Sequence, residues 1–334
     1  MAVAPDRAVL VTGATGAVGP ALVERLARDG HRVRALSRTP RLTTDASPPV
    51  EWICGDVTDR ASVARAVRGV TWVFHLAAHL HVPHPDASQR STYERVNVEG
   101  TRTVAEESAS AGVSRLVFFS SVAVYGQTPS VVVDETTAPR PDTLYGETKL
   151  RAEERALGLT ARDSETPLAC VLRLGAVYGP RMKGNYLRLA QAIRSGWFVP
   201  IGKGRNRRTL VHEADVAEAA LLAAASPRAA GQVYNVTDGR LHRLDEIIEV
   251  MCAVLGRRSP RWSVSPRVAR PLARLGDGAL AMLFRRKGCL ETVKKYTEDV
   301  AVSGEKMVRE LGYQPRVEIE EGFRDALSSL RSRA

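Results

Sequence analysis

The stretch that decides the fold is TGATGAVG, residues 12–19, which directly follows the apolar run at residues 8–11. The run predicts a short buried strand, and the residues after Gly19 carry apolar side chains at helical spacing. A glycine turn between a strand and a helix is typical of dinucleotide-binding proteins. Gly13 permits the tight turn, Gly16 lets the main chain approach a pyrophosphate, and Gly19 lets the helix pack closely. The unpaired amides at the helix N-terminus would then face the phosphates.

Further apolar runs predict strands at residues 32–36, 52–54, 70–74, 113–119 and 168–174, with helical patterns between them. Strands that alternate with helices predict a Rossmann-type, doubly wound α/β fold, with a parallel sheet covered on both faces. Ligands of such a sheet bind at the carboxyl ends of its strands. Gly13, Arg38, Asp56, Ala77 and Ser121 each follow a predicted strand, so we expect them to line one crevice.

Tyr145 and Lys149 are candidates for proton transfer. Their spacing places both side chains on one face of a helix, where the ammonium group is expected to lower the pKa of the phenol. Ser121 can hydrogen-bond the oxygen of a reacting alcohol or ketone. The three residues together predict carbonyl–alcohol redox chemistry. For the Tyr/Lys spacing alone, a surface pair without a catalytic role is the alternative.

The second predicted strand ends at Ser37-Arg38 and lacks the acidic residue that holds the ribose hydroxyls in proteins that prefer NAD. A guanidinium group suits a 2′-phosphate, so Arg38 favours NADP(H) over NAD(H). An exposed arginine that faces solvent is the other interpretation.

Nine motifs extend over nearly the whole chain. They are TGATGAVG at 12–19, Gly55-Asp56, HLAA at 75–78, VNVEGT at 96–101, SSVAVYG at 120–126, YGETK at 145–149, RLGAVYGP at 173–180, LVHEADVAEA at 210–219 and EKMVRELGYQP at 305–315. With these motifs the chain resembles the extended short-chain dehydrogenase/reductase family, which includes nucleotide-sugar epimerases, dehydratases and ketoreductases. The resemblance implies an NAD(P)-dependent enzyme that forms a homodimer through the Tyr/Lys helix and its neighbour.

The resemblance also implies roles for individual residues. Tyr145 would be the catalytic acid/base, Lys149 would hold the nicotinamide ribose, and Ser121 would orient the substrate oxygen. Asp56 would bond the adenine and Asn97 would fix the site, although a turn residue and a helix N-cap are the alternatives. The cofactor-binding set is Gly13, Thr15, Gly16, Ala17, Val18, Gly19, Arg38, Asp56, Val57, Leu76, Ala77, Ala78, Asn97, Tyr145, Lys149 and Val177.

Candidates for substrate binding come from the second half of the chain. By resemblance to the nucleotide-sugar enzymes, Arg208 would hold the diphosphate, Asn185 would contact the nucleotide, and Lys294 would contact a further phosphate. A solvated basic loop at residues 203–208 explains the same charges. Many relatives carry asparagine where this chain has Ala176, and this difference puts the phosphate contacts in doubt.

The residues after Ser121 separate the chemistries of the family. Dehydratases of the family carry Asp-Glu at the position of Val122-Ala123, and the carboxylate associated with decarboxylation is missing here as well. We therefore predict hydride transfer at a ring carbon, C4, of a nucleotide-activated sugar, by a 4-ketoreductase or a 4-epimerase. The alternative is a 3-beta-hydroxysteroid or other lipid-alcohol dehydrogenase. A redox-sensing protein without turnover is disfavoured, because it does not need all three catalytic candidates.

The composition limits the architecture and the location. A chain of 334 residues that is 44% hydrophobic can bury a large core. We predict a dinucleotide-binding lobe at residues 1–178, rejoined by 210–238, and a smaller interleaved substrate lobe at 179–209 and 239–334. The sequence shows neither a secretory signal nor an apolar run long enough for a membrane span, so a cytoplasmic location is expected. The four cysteines are far apart, which predicts reduced thiols and no metal site.

The net charge of +11 is concentrated in one segment. Residues 257–295 contain eleven Lys and Arg residues against two acidic residues, and so carry +9 of that charge. A solvated face, a flank for an anionic substrate and a weak membrane-surface contact through residues 267–286 are the three interpretations. Nucleic-acid binding is not predicted, because aromatic residues make up only 5% of the chain and no recognition motif is visible.

Overall fold

The computed structural model describes residues 7–40, 49–80, 87–128, 131–162, 164–196, 198–260, 262–269, 271 and 296–331. Seven parallel strands form a large sheet in the order β3-β2-β1-β4-β5-β6-β9. They are β1 Ala8–Thr12, β2 Arg32–Ser37, β3 Val50–Cys54, β4 Trp72–His75, β5 Arg115–Ser121, β6 Ala169–Leu174 and β9 Val233–Val236. The strand order reverses between β1 and β4, which opens a crevice at their carboxyl ends. The predicted Rossmann-type sheet is confirmed.

Helices cover both faces of the large sheet. The α-helices of both lobes, within the described residues, are α1 Gly19–Arg28, α2 Arg60–Val67, α3 Ala87–Tyr93, α4 Gly100–Ser110, α5 Leu144–Leu157, α6 Asn185–Ser195, α7 Glu213–Ala225, α8 Leu244–Val254, α9 Glu305–Leu311, α10 Ile319–Ala326 and α11 Ser328–Arg331. One face packs against α1 and α7, and the other packs against α2, α4 and α5. Val9 and Val11 of β1 enter the first core and Leu10 enters the second, as the two-residue period of a strand requires.

A glycine fixes where α5 begins. Thr143 caps this helix, because its Oγ1 accepts a hydrogen bond from the Gly146 amide at 3.1 Å. A Cβ atom at Gly146 would lie 2.5 Å from the Ala123 carbonyl oxygen, so a larger residue would force the two segments apart. Gly146 therefore lets α5 start directly against the short 3₁₀ helix Val122–Tyr125.

A second, smaller sheet carries the other lobe. Its strands are β7 Ala176–Tyr178, β8 Arg207–His212 and β10 Leu241–Arg243, in the order β10-β8-β7. Helices α6, α8 and α10 pack with it around Tyr178, Ile247 and Phe323.

The chain crosses between the two lobes at other positions than the predicted boundaries at residues 178 and 210. Strands β7 and β8 bond to each other in the small sheet, so the large lobe ends before residue 176 and resumes at α7. Arg207 and Arg208 consequently lie in a strand, not in the predicted basic loop. Helix α9, which was expected in the substrate lobe, packs on the large sheet through Met307.

Two further features concern the described residues alone. Within them, no helix combines the length and the apolar character that crossing a bilayer would require. Cys54, Cys170 and Cys252 are free thiols, while Cys289 lies outside the described residues.

Candidate functional site

The glycine turn after β1 packs closely against its neighbours. Gly13 has a φ of +69°, and a Cβ atom there would lie 2.6 Å from the Ala77 amide nitrogen. The Gly16 amide donates a hydrogen bond to the Gly13 carbonyl oxygen at 2.9 Å. A Cβ atom at Gly19 would lie 2.5 Å from the Ala14 carbonyl carbon, so Gly19 lets α1 start against the turn itself.

The start of α1 suits an anionic ligand. Its first turn contains no acidic residue, and Val18 makes no side-chain cap for the free amides. Unpaired amides at a helix N-terminus attract phosphate groups. Thr15 is exposed and Ala17 is half-buried in the turn, whereas the Val18 side chain is buried in the core. The turn thus offers a main-chain cradle that fits the pyrophosphate of a dinucleotide.

The other predicted cofactor residues at this end of the sheet differ in exposure. Arg38 is exposed immediately after β2. Asp56 Oδ1 accepts hydrogen bonds from the amide and the hydroxyl of Thr58, both at 2.9 Å, so this carboxylate also stabilises a turn. The Val57 side chain is buried, which leaves its main chain as the part that could contact a ligand.

A buried histidine joins the ends of β1 and β4 to α4. His75 Nδ1 lies 2.7 Å from Thr12 Oγ1, and its Nε2 lies 3.0 Å from Thr101 Oγ1. The Ala77 amide donates to Thr12 Oγ1 at 3.3 Å. Burial, with a smaller contribution from the Lys149 charge, lowers the pKa of His75 to about 3. His75 is therefore neutral, and it fixes the β4 end beside the glycine turn.

Asn97 connects the loop after β4 to α5. Its Oδ1 accepts a hydrogen bond from the His79 amide at 2.7 Å, and its Nδ2 donates to the His79 carbonyl oxygen and to Thr148 Oγ1, both at 3.2 Å. Asn97 lies within the π-helical segment Glu94–Glu99, so it is not a helix N-cap. The half-buried loop residues Leu76, Ala77 and Ala78 are thereby held at the edge of the sheet.

Ser121 and Tyr145 lie together at the end of β5. A hydrogen bond links their hydroxyl groups, and Ser121 Oγ also accepts from the Ala123 amide at 3.2 Å. Burial raises the pKa of Tyr145 to about 12, with the Ser121 hydrogen bond opposing the rise and the Tyr93 phenol adding to it. This direction is opposite to the one expected from Lys149. Burial outweighs the other effects, so the phenol is protonated at neutral pH and can donate a proton.

Lys149 lies one helical turn beyond Tyr145 and is almost completely buried. Its Nζ is 4.1 Å from the centre of the Phe118 ring. Burial lowers the pKa of Lys149 to about 7, and the Glu153 carboxylate opposes this shift. The ammonium group consequently titrates near neutral pH, and its charge depends on Glu153.

Glu153 is the centre of a buried polar network that the sequence analysis missed. Arg173 Nη2 lies 2.6 Å from Glu153 Oε2, and Arg173 Nε lies 3.0 Å from Oε1. The Ser120 hydroxyl also donates to Oε1, and Arg173 Nη1 donates to the Tyr125 hydroxyl at 2.9 Å. The available sequence signal was the four-residue spacing from Lys149 to Glu153, which continues the spacing from Tyr145 along one helix face.

Of the predicted substrate residues, Asn185 and Arg208 lie in the described part of the chain and Lys294 does not. Arg208 lies close to the Tyr186 phenol, because its charge partly offsets the rise in the pKa of Tyr186 that burial causes. Asn185 precedes Tyr186 and is exposed at the start of α6. Val177 of β7 packs against the core of the large lobe. Lys294 lies outside the described residues.

Known proteins resemble this chain over nearly its full length. The UDP-glucose 4-epimerase of Vibrio cholerae is 27% identical over 325 residues, which cover 95% of this chain and 94% of that protein. The 3 beta-hydroxysteroid dehydrogenase/Delta 5-->4-isomerase of Mycobacterium tuberculosis is 30% identical, with 96% and 89% covered. The solved structure of MoeE5 in complex with UDP-glucuronic acid and NAD superposes with a TM-score of 0.76 at 29% identity and covers 98% of this chain and 99% of that one.

Residues 9–237 also match the family described as NAD dependent epimerase/dehydratase. The match extends from β1 through β9, and thus spans the whole large sheet together with β7 and β8. The protein is therefore an NAD-dependent enzyme of the short-chain dehydrogenase/reductase type. The chain belongs to the NAD dependent epimerase/dehydratase family.

Proposed function

We propose that the protein transfers a hydride between a nicotinamide dinucleotide and ring carbon C4 of a nucleoside-diphosphate sugar, as a 4-ketoreductase or a 4-epimerase. The observation that carries the proposal is the hydrogen-bonded pair Ser121 and Tyr145, next to Lys149 at the carboxyl edge of the sheet. Two findings support the sugar nucleotide. Arg208 lies near Tyr186 in the small lobe, and relatives include UDP-glucose 4-epimerase and MoeE5, which was solved with UDP-glucuronic acid and NAD.

The mechanism follows from the protonation states. The glycine turn of Gly13, Gly16 and Gly19 would hold the pyrophosphate of a nicotinamide dinucleotide, which would supply or accept the hydride when bound. Tyr145 is protonated at neutral pH, so it can donate its proton to the carbonyl oxygen in reduction. In oxidation the phenol must first lose its proton, and the phenolate then takes the proton of the hydroxyl group. Ser121 hydrogen-bonds the same oxygen. Lys149 stabilises the phenolate that remains after the proton has moved, provided that the ammonium form is present.

A lipid-alcohol dehydrogenase is the second candidate function. It is favoured by the 30% identity to the 3 beta-hydroxysteroid dehydrogenase/Delta 5-->4-isomerase of Mycobacterium tuberculosis. Thermal unfolding with added UDP or added sterol separates the candidates, because a ligand that binds the native state raises Tm. A shift with UDP alone supports the first function, and a shift with sterol alone supports the second.

Replacing Tyr145 by Phe tests the proton-transfer role. The variant lacks the hydroxyl that donates the proton, so we expect turnover to fall by about 10² or more while cofactor affinity changes little. Nuclear magnetic resonance of a UDP-sugar reaction gives turnover, and titration of protein fluorescence gives cofactor affinity. Tyr313→Phe is the matched control, because that hydroxyl bonds the Thr237 carbonyl oxygen away from the site. Turnover near the wild-type value in Tyr145→Phe would contradict the assignment.

Replacing Glu153 by Gln tests the role of Glu153 as a positioning residue that keeps Lys149 charged. The carboxylate raises the pKa of Lys149, so its removal lowers that pKa further below about 7. We therefore expect the alkaline limb of the profile of kcat/KM against pH to move to lower pH. Tyr125→Phe is the control, because it removes a hydrogen bond to Arg173 without changing the charge next to Lys149. A folded Glu153→Gln enzyme with the wild-type profile would show that Glu153 acts only in stability.

We also propose that Arg38 gives a preference for NADP(H). Because a hydrogen bond to a charged group contributes about 1.5–3 kcal/mol, Arg38→Asp should weaken NADP(H) binding roughly tenfold or more and improve NAD(H) binding. Arg38→Ala, the control, should lose NADP(H) affinity without gaining NAD(H) affinity. Dissociation constants of both cofactors provide the measurement. An unchanged ratio between them would mean that Arg38 does not contact the cofactor.

A homodimer is the last part of the proposal. The family resemblance places α4 and α5 at the interface, and these helices lie side by side on one face of the large sheet. Sedimentation velocity at micromolar concentration should give the mass of two chains. A species with the mass of one chain across the whole concentration range would refute the dimer.

A further inference from the structure

Two segments of the small lobe form one continuous outer surface. The Val264 amide donates to the Pro200 carbonyl oxygen, and the Gly202 amide donates to the Val264 carbonyl oxygen, both at 2.8 Å. A Cβ atom at Gly202 would lie 3.3 Å from the Pro266 ring. The segment at residues 198–202 and the segment at residues 262–269 therefore lie side by side.

Apolar side chains project from this surface into solvent. Trp262 is 84% exposed, Val199 and Val268 are each 52% exposed, and Val264 is 36% exposed. These four belong to the nine large hydrophobic side chains that are exposed among the described residues. Single exposed apolar residues are ordinary, but a cluster of them marks an interaction site.

Cations surround the apolar cluster. Arg257, Arg258 and Arg267 are exposed, and none of them forms an ion pair with a carboxylate of the described residues. Arg257 and Arg258 also line a cavity with Ile193, Phe198 and Pro260. The sequence contains no Asp or Glu between Glu249 and Asp277, or between Gly196 and Thr209. The charged side chains of these two stretches are therefore all basic.

The combination of exposed apolar side chains and arginines indicates what kind of partner binds this surface. A second copy of the same face would bring like charges together, which opposes self-association through it. An anionic bilayer attracts the arginines electrostatically and accepts tryptophan and valine side chains at the boundary between headgroups and acyl chains. Tryptophan is enriched at this boundary because its ring is apolar and its N–H is polar.

We propose that the Trp262 face, formed by Val199, Arg257, Arg258, Trp262, Val264, Arg267 and Val268, docks the enzyme on a membrane surface rich in anionic phospholipid. Helix α6 runs from Tyr186, next to Arg208, to Ile193 at the cavity beside this face. Its eleven residues span about 15 Å at the rise of an α-helix. Docking is independent of which substrate the enzyme uses.

Co-sedimentation of the full-length protein with vesicles tests the proposal. Vesicles of phosphatidylcholine mixed with phosphatidylglycerol should bind the protein at least about tenfold more tightly than vesicles of phosphatidylcholine alone, and added salt should weaken this binding. Failure to bind the mixed vesicles, or equal binding to both kinds, overturns the proposal. Capture by heparin or an acidic peptide without vesicle binding identifies a soluble anionic partner and overturns it as well.

Two sets of variants test whether the protein binds vesicles through the Trp262 face. The triple variant Arg257→Gln, Arg258→Gln and Arg267→Gln should lose about a hundredfold in vesicle affinity. Its matched control is Arg68→Gln, Arg228→Gln and Arg324→Gln, which removes the same charge from exposed positions elsewhere and should lose much less.

Trp262→Ser provides the apolar test. It should weaken vesicle binding, whereas Val308→Ser, which changes a side chain that is 44% exposed on another surface, should not. Circular dichroism checks that each variant is folded, and the arginine triple remains a test if Trp262→Ser unfolds. Equal losses in a variant and its control would show that the Trp262 face is not the docking surface.

Discussion

The burial of Lys149 is the constraint on which the rest of the site depends. An ammonium group removed from water costs several kcal/mol unless nearby groups compensate for the lost hydration. The face of the Phe118 ring and the Glu153 carboxylate both compensate for the hydration that the Lys149 ammonium group has lost. Glu153 is held in turn by Arg173 of β6 and Ser120 of β5. Helix α5 is thus fixed to the strand ends by electrostatics as well as by packing, which fixes Tyr145.

Burial moves both members of the Tyr/Lys pair toward their neutral forms. The pKa of Tyr145 rises to about 12, and that of Lys149 falls to about 7. A protonated phenol is ready to donate, whereas oxidation of an alcohol requires it to lose its proton first. These directions favour the reductive half of the proposed chemistry. They also make the Glu153 charge important, because the lysine loses its charge, and with it its help to the phenolate, as the pH rises through about 7.

Patterns within short stretches of the sequence predict those parts of the fold and site that depend on residues close together in the chain. The apolar run of β1, the glycine turn and the helix that follows Gly19 are all predicted from such patterns. Contacts between distant residues could not be predicted in the same way. His75 meets Thr12 across 63 positions because two strand ends are adjacent in the sheet, and Arg173 meets Glu153 across 20 because α5 packs on the sheet. The pKa of Tyr145 was missed for the same reason, since burial depends on all the surrounding elements.

The strand that carries Arg208 connects the small lobe directly to the large lobe. Arg208 lies in β8, and the same strand continues through His212 directly into α7 of the large lobe. His212 Nδ1 accepts a hydrogen bond from the Ala214 amide at 3.2 Å and so caps this helix. Asp215, in the first turn of α7, is buried, and its Oδ1 accepts a hydrogen bond from the Arg316 amide at 2.9 Å. This bond holds the C-terminal segment against the start of α7. Arg208, the proposed substrate contact, thus lies five residues before the first residue of α7, a helix packed on the dinucleotide-binding sheet. Domains joined by flexible linkers move independently, whereas here a continuous strand and helix connect Arg208 to the large lobe.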